Sequence, residues 1–126
     1  MDGRTELRAK LIADSAVTAL VGTYKGSPAI FDAPLTPDKY DDAAISMYLT
    51  SPTDGGETLG IFSNTVNCWA TSYTVAENMQ DAAFEALNRR MEGSDTFFKC
   101  SKQVIIPPQN TGGDYNAPLE VLVRQR

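Results

Sequence analysis

The sequence contains no histidine. That removes the commonest general base and the commonest metal ligand, and it leaves any serine or cysteine nucleophile without its usual partner. Cysteine is scarce. Cys68 and Cys100 are far apart, and each sits in an apolar strand pattern. A zinc site needs more ligands at closer spacing. Buried, reduced thiols are the expectation, with a disulfide as the lesser alternative. Positive charge is also short: 11 Lys and Arg against 16 Asp and Glu give a net charge of −5. A protein that grips nucleic-acid phosphates needs Lys and Arg gathered on one face. Only Arg89 and Arg90 stand adjacent, and Glu85 lies one turn earlier, where a local ion pair accounts for them. Long apolar runs are missing, so no membrane partner is expected. The opening MDGRTELRAK is charged and has no apolar leader core, and no Asn-x-Ser/Thr sequon occurs. The expectation is a soluble protein made in the cytoplasm.

What is present suits one domain over residues 1–126, since 42% of the chain is hydrophobic and 21% charged. The most informative stretch is Asn64 to Arg90. Val66, Cys68 and Ala70 alternate with polar neighbours and with Trp69, which is the period of a strand. Val75, Met79, Ala82, Ala83, Ala86 and Leu87 then fall at helical spacing. Thr74-Val75-Ala76-Glu77 reads as a capping box, and the helix is expected to end near Met91, with Gly93 just past its stop.

Around this unit, Thr5–Ala13 reads as a helix. Asp14 restarts a second one through Val17 and Leu20, with Gly22 as its stop. Residues 23–42 are punctuated by Gly and Pro, with a short strand at Ile30–Phe31. Ala44–Thr50 reads as a strand joined by the loop Ser51–Thr58 to an antiparallel partner at Leu59–Thr71. Phe97–Ile106 is a further strand, with Phe98, Cys100, Val104 and Ile106 inward. That phase would place Lys102 inward as well, so an edge or a bulge is expected there. Pro107-Pro108 ends it, and a loop over Gln109–Asn116 leads to the last strand, Leu119–Gln125. The sum is an α+β fold, a mainly antiparallel sheet of about four strands with helices packed on one face.

The search for chemistry finds little. Asp38, Asp41 and Asp42 are close enough in sequence to suggest a hard-cation site, but loop acids are far more often simply solvated. Glu77, Asp81 and Glu85 share a helix face and read as solvated too. The Gly-Gly turns at 55–56 and 112–113 are not followed by the Lys and helix start of a phosphate loop. No catalytic residue, metal site or cofactor is assigned. Tyr48, Trp69 and Phe97 on an open sheet face would suggest base stacking in a basic protein, but the acidic balance argues against it. Apolar surface remains. Tyr48 and Trp69 are placed opposite the helix-facing core. Phe84 is placed off the main helix stripe, on a line with Leu87 and Met91. Either another part of the chain covers these side chains, or Tyr48, Trp69, Phe84 and Met91 form subunit contacts, where such residues are enriched. Two polar loop tips, Thr53, Asp54, Gly55, Gly56 and Glu57 in one and Thr111, Gly112, Gly113 and Asp114 in the other, are candidates to reach neighbours during assembly.

The arrangement LRAKLIADSAVTALVGTYKG, a Pro-rich connection, and then NCWATSYTVAENMQDAAFEALNRRM resembles the tail terminator, or tail completion, proteins of long-tailed bacteriophages. The shared features are the restart near Asp14, the stop at Leu20–Gly22, the strand carrying Cys68-Trp69-Ala70, and the Ala-rich acidic helix ending near Leu87. The resemblance covers most of residues 5–92. It implies an α+β virion subunit that assembles with itself into a ring, a hexamer, at the head-proximal end of the tail. Such a ring caps the tail tube, ends its polymerisation and offers the surface for head–tail joining. The implied partners are the tail tube protein and a head-side connector or stopper, with DNA passing through the lumen without specific binding. A head-side connector role is the alternative, and a small ligand- or cation-binding domain a more distant one. A closed ring needs two different patches, one binding the other on the neighbour.

Overall fold

Two long strands run side by side through the middle of the molecule: β5, Ile61–Ala70, and β8, Tyr115–Gln125, paired antiparallel from Ile61 opposite Arg124 to Ala70 opposite Tyr115. A computed structural model describes residues 4–32, 43–52, 61–92, 96–108 and 114–125. The remaining elements are α1 (Arg4–Ala13), α2 (Ser15–Leu20), β1 (Thr23–Tyr24), β2 (Ser27–Pro28), β3 (Ile30–Phe31), β4 (Ala43–Pro52), α3 (Tyr73–Leu87), β6 (Arg90–Glu92) and β7 (Thr96–Lys102).

Among the described residues the main sheet has six strands, in the order β3-β4-β5-β8-β7-β6. It is mixed, because β3 runs parallel to β4 while the other neighbours are antiparallel. The expected four antiparallel strands are therefore corrected to six in a mixed sheet. Alternation in a sequence reports which face a side chain takes. It does not report the direction of the neighbouring strand, and β3 is only two residues long.

The inward face is built from the expected residues. Ile45, Met47, Val66, Cys68, Phe98, Leu119, Val121 and Val123 are buried there against the helices. From the helices, Leu7 and Leu11 of α1, Val17 of α2, and Met79, Ala83 and Leu87 of α3 close the same core. Each large side chain so buried contributes about 1.5–3 kcal/mol.

The break between α1 and α2 follows the sequence. Asp14 is the N-cap, and its carboxylate accepts the N–H of Val17 at 3.0 Å. The stop also falls where expected: Val21 is the C-cap, its N–H donating to Val17 at 3.2 Å, and Gly22 follows it. Tertiary bonds hold Gly22 there, its N–H donating to Ala43 at 2.7 Å and its carbonyl accepting from Ala29 at 3.0 Å. The Pro- and Gly-rich stretch that follows opens with a tight hairpin of β1 and β2. Lys25 and Gly26 have φ of 52° and 81°, the two positive angles of a type I′ turn.

Three helix expectations change at α3. Its N-cap is Ser72, whose hydroxyl accepts the Val75 N–H at 3.4 Å, so Thr74 falls inside the first turn. It ends at Leu87, short of Met91. The Asn88 side chain accepts the N–H of Cys100 at 3.0 Å, and the Arg89 N–H donates to Phe98 at 2.8 Å with Arg89 at φ 59°. These bonds peel the chain off the helix and lay Arg90–Glu92 against β7 as β6. The expected line through Phe84, Leu87 and Met91 therefore does not exist. Leu87 is buried, and Met91 lies in a strand.

The sheet curls around its helices. Arg8 of α1 donates from Nε to the carbonyl of Ile30 in β3 at 2.9 Å, and Lys10 donates from Nζ to the carbonyl of Met91 in β6 at 3.0 Å. Those are the two edge strands, yet two residues of one helix reach both. A flat six-stranded sheet would hold its edges about 24 Å apart, so the edges must bend toward one another with α1 between them. This also gives donors to edge carbonyls that would otherwise invite another chain.

Candidate functional site

Among the described residues the convex face of the sheet carries no helix, and its side chains fall into cross-strand rows. In the central rows they are polar. Glu120 accepts hydrogen bonds from Ser63 and, at 3.1 Å, from Thr65. Asn116 donates to Asn67 at 3.1 Å. Trp69 lies half-buried over this face, and its indole N–H donates to Ser46 at 2.9 Å. Tyr48 is half-buried opposite Thr65.

One end of that face, set by the far ends of β7 and β8, is different. Lys99 stands opposite Leu122, and Phe97 stands opposite both Arg124 and Met91. The result is a checkerboard of apolar and cationic side chains. Met91 is 42% and Leu122 41% exposed.

The opposite end depends on a slip of register. Lys102 pairs with Leu119, but the next bridge joins Ile106 to Asn116, so three residues on one side span two on the other. The expectation of a bulge near Lys102 is met. Its consequence for Val104 and Ile106 is the reverse of what was expected. The extra residue turns Ile105 inward and leaves Val104 85% and Ile106 49% exposed. Gln80 holds the slipped segment, donating to the carbonyls of Gln103 at 3.0 Å and Pro118 at 2.7 Å. Beside it stands exposed Tyr73, whose ring meets Tyr115 edge-on at 5.8 Å. Glu77 lies one turn further along α3, exposed.

These positions sort the sequence candidates. Met91 is exposed. Tyr48, Trp69 and Phe84 are half-buried. Phe84 packs against the core and is roofed by Lys102, whose ammonium sits 4.9 Å from the ring centre and 2.7 Å from Asp81. The loop residues Thr53, Asp54, Gly55, Gly56, Glu57, Thr111, Gly112 and Gly113 lie outside the described residues, as do Asp38, Asp41 and Asp42. Asp114 is described and half-buried. Tyr73, Val104, Ile106 and Leu122 were not among the candidates. Leu122 was legible, since it is out of phase with Leu119, Val121 and Val123.

Chemical groups are sparse. Among the described residues no three His, Cys, Asp or Glu side chains converge, and no helix is long and apolar enough to cross a membrane. Burial pushes the thiols of Cys68 and Cys100 up to about 12. Both thiols are free. Cys68 lies beside Ala117 and Cys100 beside Val121 on opposite sides of β8, too far apart to bridge. A hollow of about 510 Å³ runs along α1, but Arg8 and Asp32 in its wall are already bonded to Ile30 and Arg4.

No protein-family model matches this chain, and no curated protein matches it. A solved structure does. The fold is similar to that of a chain in the virion of a native gene transfer agent (GTA) particle, with a TM-score of 0.65 at 17% identity. The likeness covers 94% of this chain and 90% of that one. At that identity the common property is the fold.

Proposed function

We propose that this protein is a structural subunit of a phage-like virion. It assembles with itself into a closed ring of six, caps the tail tube at its head-proximal end, stops the addition of tube subunits, and presents a surface for head–tail joining. It works by contact, without catalysis or a cofactor. The observation that carries this reading is the fold likeness to a GTA virion chain along nearly the whole length. The sequence resemblance to tail terminators supports the position at the tail. Exposed apolar side chains at both ends of the sheet supply the two different surfaces that a ring requires.

Tail assembly in its absence tests the proposal. Lysates lacking the protein should contain tail tubes that run past their normal length and heads without tails, and purified protein should restore both. Tubes of normal length that fail only to join heads would move the protein to the head-side connector. Normal, joined particles without it would end the proposal.

A further inference from the structure

Five large apolar side chains stand exposed among the described residues: Tyr73, Met91, Val104, Ile106 and Leu122. They are not scattered. Val104 and Ile106 occupy the end of the sheet where Ile106 bridges Asn116, and Tyr73 lies at the same end on the helix side, against Tyr115. Met91 and Leu122 occupy the other end, beside half-buried Phe97. Asn116 and Leu122 are six residues apart on β8, so the groups are separated by about 20 Å. Between them lies the polar stretch of Ser63, Thr65, Asn67 and Glu120.

The two groups carry opposite charge. Lys99 and Arg124 stand directly across the strands from Leu122 and Phe97, and both are exposed. Arg89 lies exposed at the start of the same edge. At the other end, exposed Glu77 stands one helical turn from Tyr73, and Asp114 adjoins Tyr115. Lys102, the cation on that side, is already matched by Asp81 at 2.7 Å. Among the described residues, the cations Arg89, Lys99 and Arg124 thus border one apolar group, and Glu77 and Asp114 lie toward the other. Matching apolar centres with opposite rims is the pattern of two surfaces that meet.

We infer that the Leu122 end of one protomer docks on the Ile106 end of the next copy, head to tail. The inference rests on the ring reading above and adds which surfaces make the ring. Two different patches at opposite ends of one strand give a heterologous contact. That contact continues from copy to copy until it closes.

The test uses one variant at each end, Ile106→Glu and Leu122→Glu, in the full chain. Both positions are exposed, so both variants should keep the wild-type melting behaviour. Each alone should be monomeric under conditions in which wild type forms rings. Mixed, they should form a dimer and nothing larger, because each supplies the one surface its partner lacks. Should a variant fold poorly, Glu77→Lys and Lys99→Glu replace them. Each should weaken the ring at low salt, and one chain carrying both should recover it. A wild type that stays monomeric even on tail tubes removes the ring reading, and this inference with it. Wild-type rings that persist in both single variants overturn the surface assignment alone. So does an Leu122→Glu variant that still forms rings but has lost binding to a DNA duplex, which would make that end a nucleic-acid surface.

Discussion

The side-chain amide of Gln80 donates to the carbonyl of Pro118 at 2.7 Å from a nearly inaccessible position on α3. A second bond, to Gln103 at 3.0 Å, ties the helix to the slipped segment of the chain after β7. That pair of bonds holds Val104 and Ile106 on the outside.

Replacing Gln80 by Leu should therefore cost about 1–3 kcal/mol, because the buried Pro118 carbonyl loses one of its donors and the tie to Gln103 is broken. Urea unfolding measures it. Hydrogen exchange should rise first over residues 103–106. An unchanged midpoint would mean that the bulge is held by other means.

Trp69 is tied within the protomer by its indole bond to Ser46. Trp69→Ala should destabilise the isolated protomer by about 2 kcal/mol, through lost packing and the lost bond to Ser46. Leu122→Ser should change it by less than about 0.5 kcal/mol. Thermal melts of the two variants as monomers decide. Equal melting of both would contradict this ranking.

The hairpin turn isolates a backbone effect. Gly26 has φ 81°, and a Cβ added there would meet nothing within 4 Å. Gly26→Ala should then cost about 1 kcal/mol, all of it from the strained dihedral. A larger loss would mean that the turn makes contacts beyond its backbone.

Much of this architecture was legible, and the misreadings have local causes. Asp14 announced the α1–α2 break because an N-cap acts within its own turn. Val66, Cys68, Ala70 and Val121 announced the core because alternation sets a strand's face. The end of α3 was not legible. Ala86, Leu87 and Met91 continue a good helical stripe, and the stop depends on Asn88 finding the N–H of Cys100, a tertiary partner. The same holds for Val104 and Ile106, since one inserted residue inverts every side chain after it. Trp69 takes the outward face that its phase gives, and Phe84 lies off the main helix stripe, both half-buried. Phase does not tell that Ser46 and Lys102 lie close enough to engage them.

The thiols predict a response to alkali. Cys68 and Cys100 sit at about 12 when folded, against an ordinary 9.0. The unfolded chain loses these protons first, so folding stability is whole below about pH 9 and falls as pH rises toward 12. Thiol reagents should react slowly with the native protein and quickly in denaturant. Rapid labelling of both cysteines in the native state would contradict their burial.

The most direct test of the central claim is an image of the purified protein with isolated tail tubes, together with its mass by light scattering. The account predicts closed rings of about six protomers of 13.7 kDa each, seated on one end of every tube. Monomers that leave both tube ends bare, at any concentration, would contradict it.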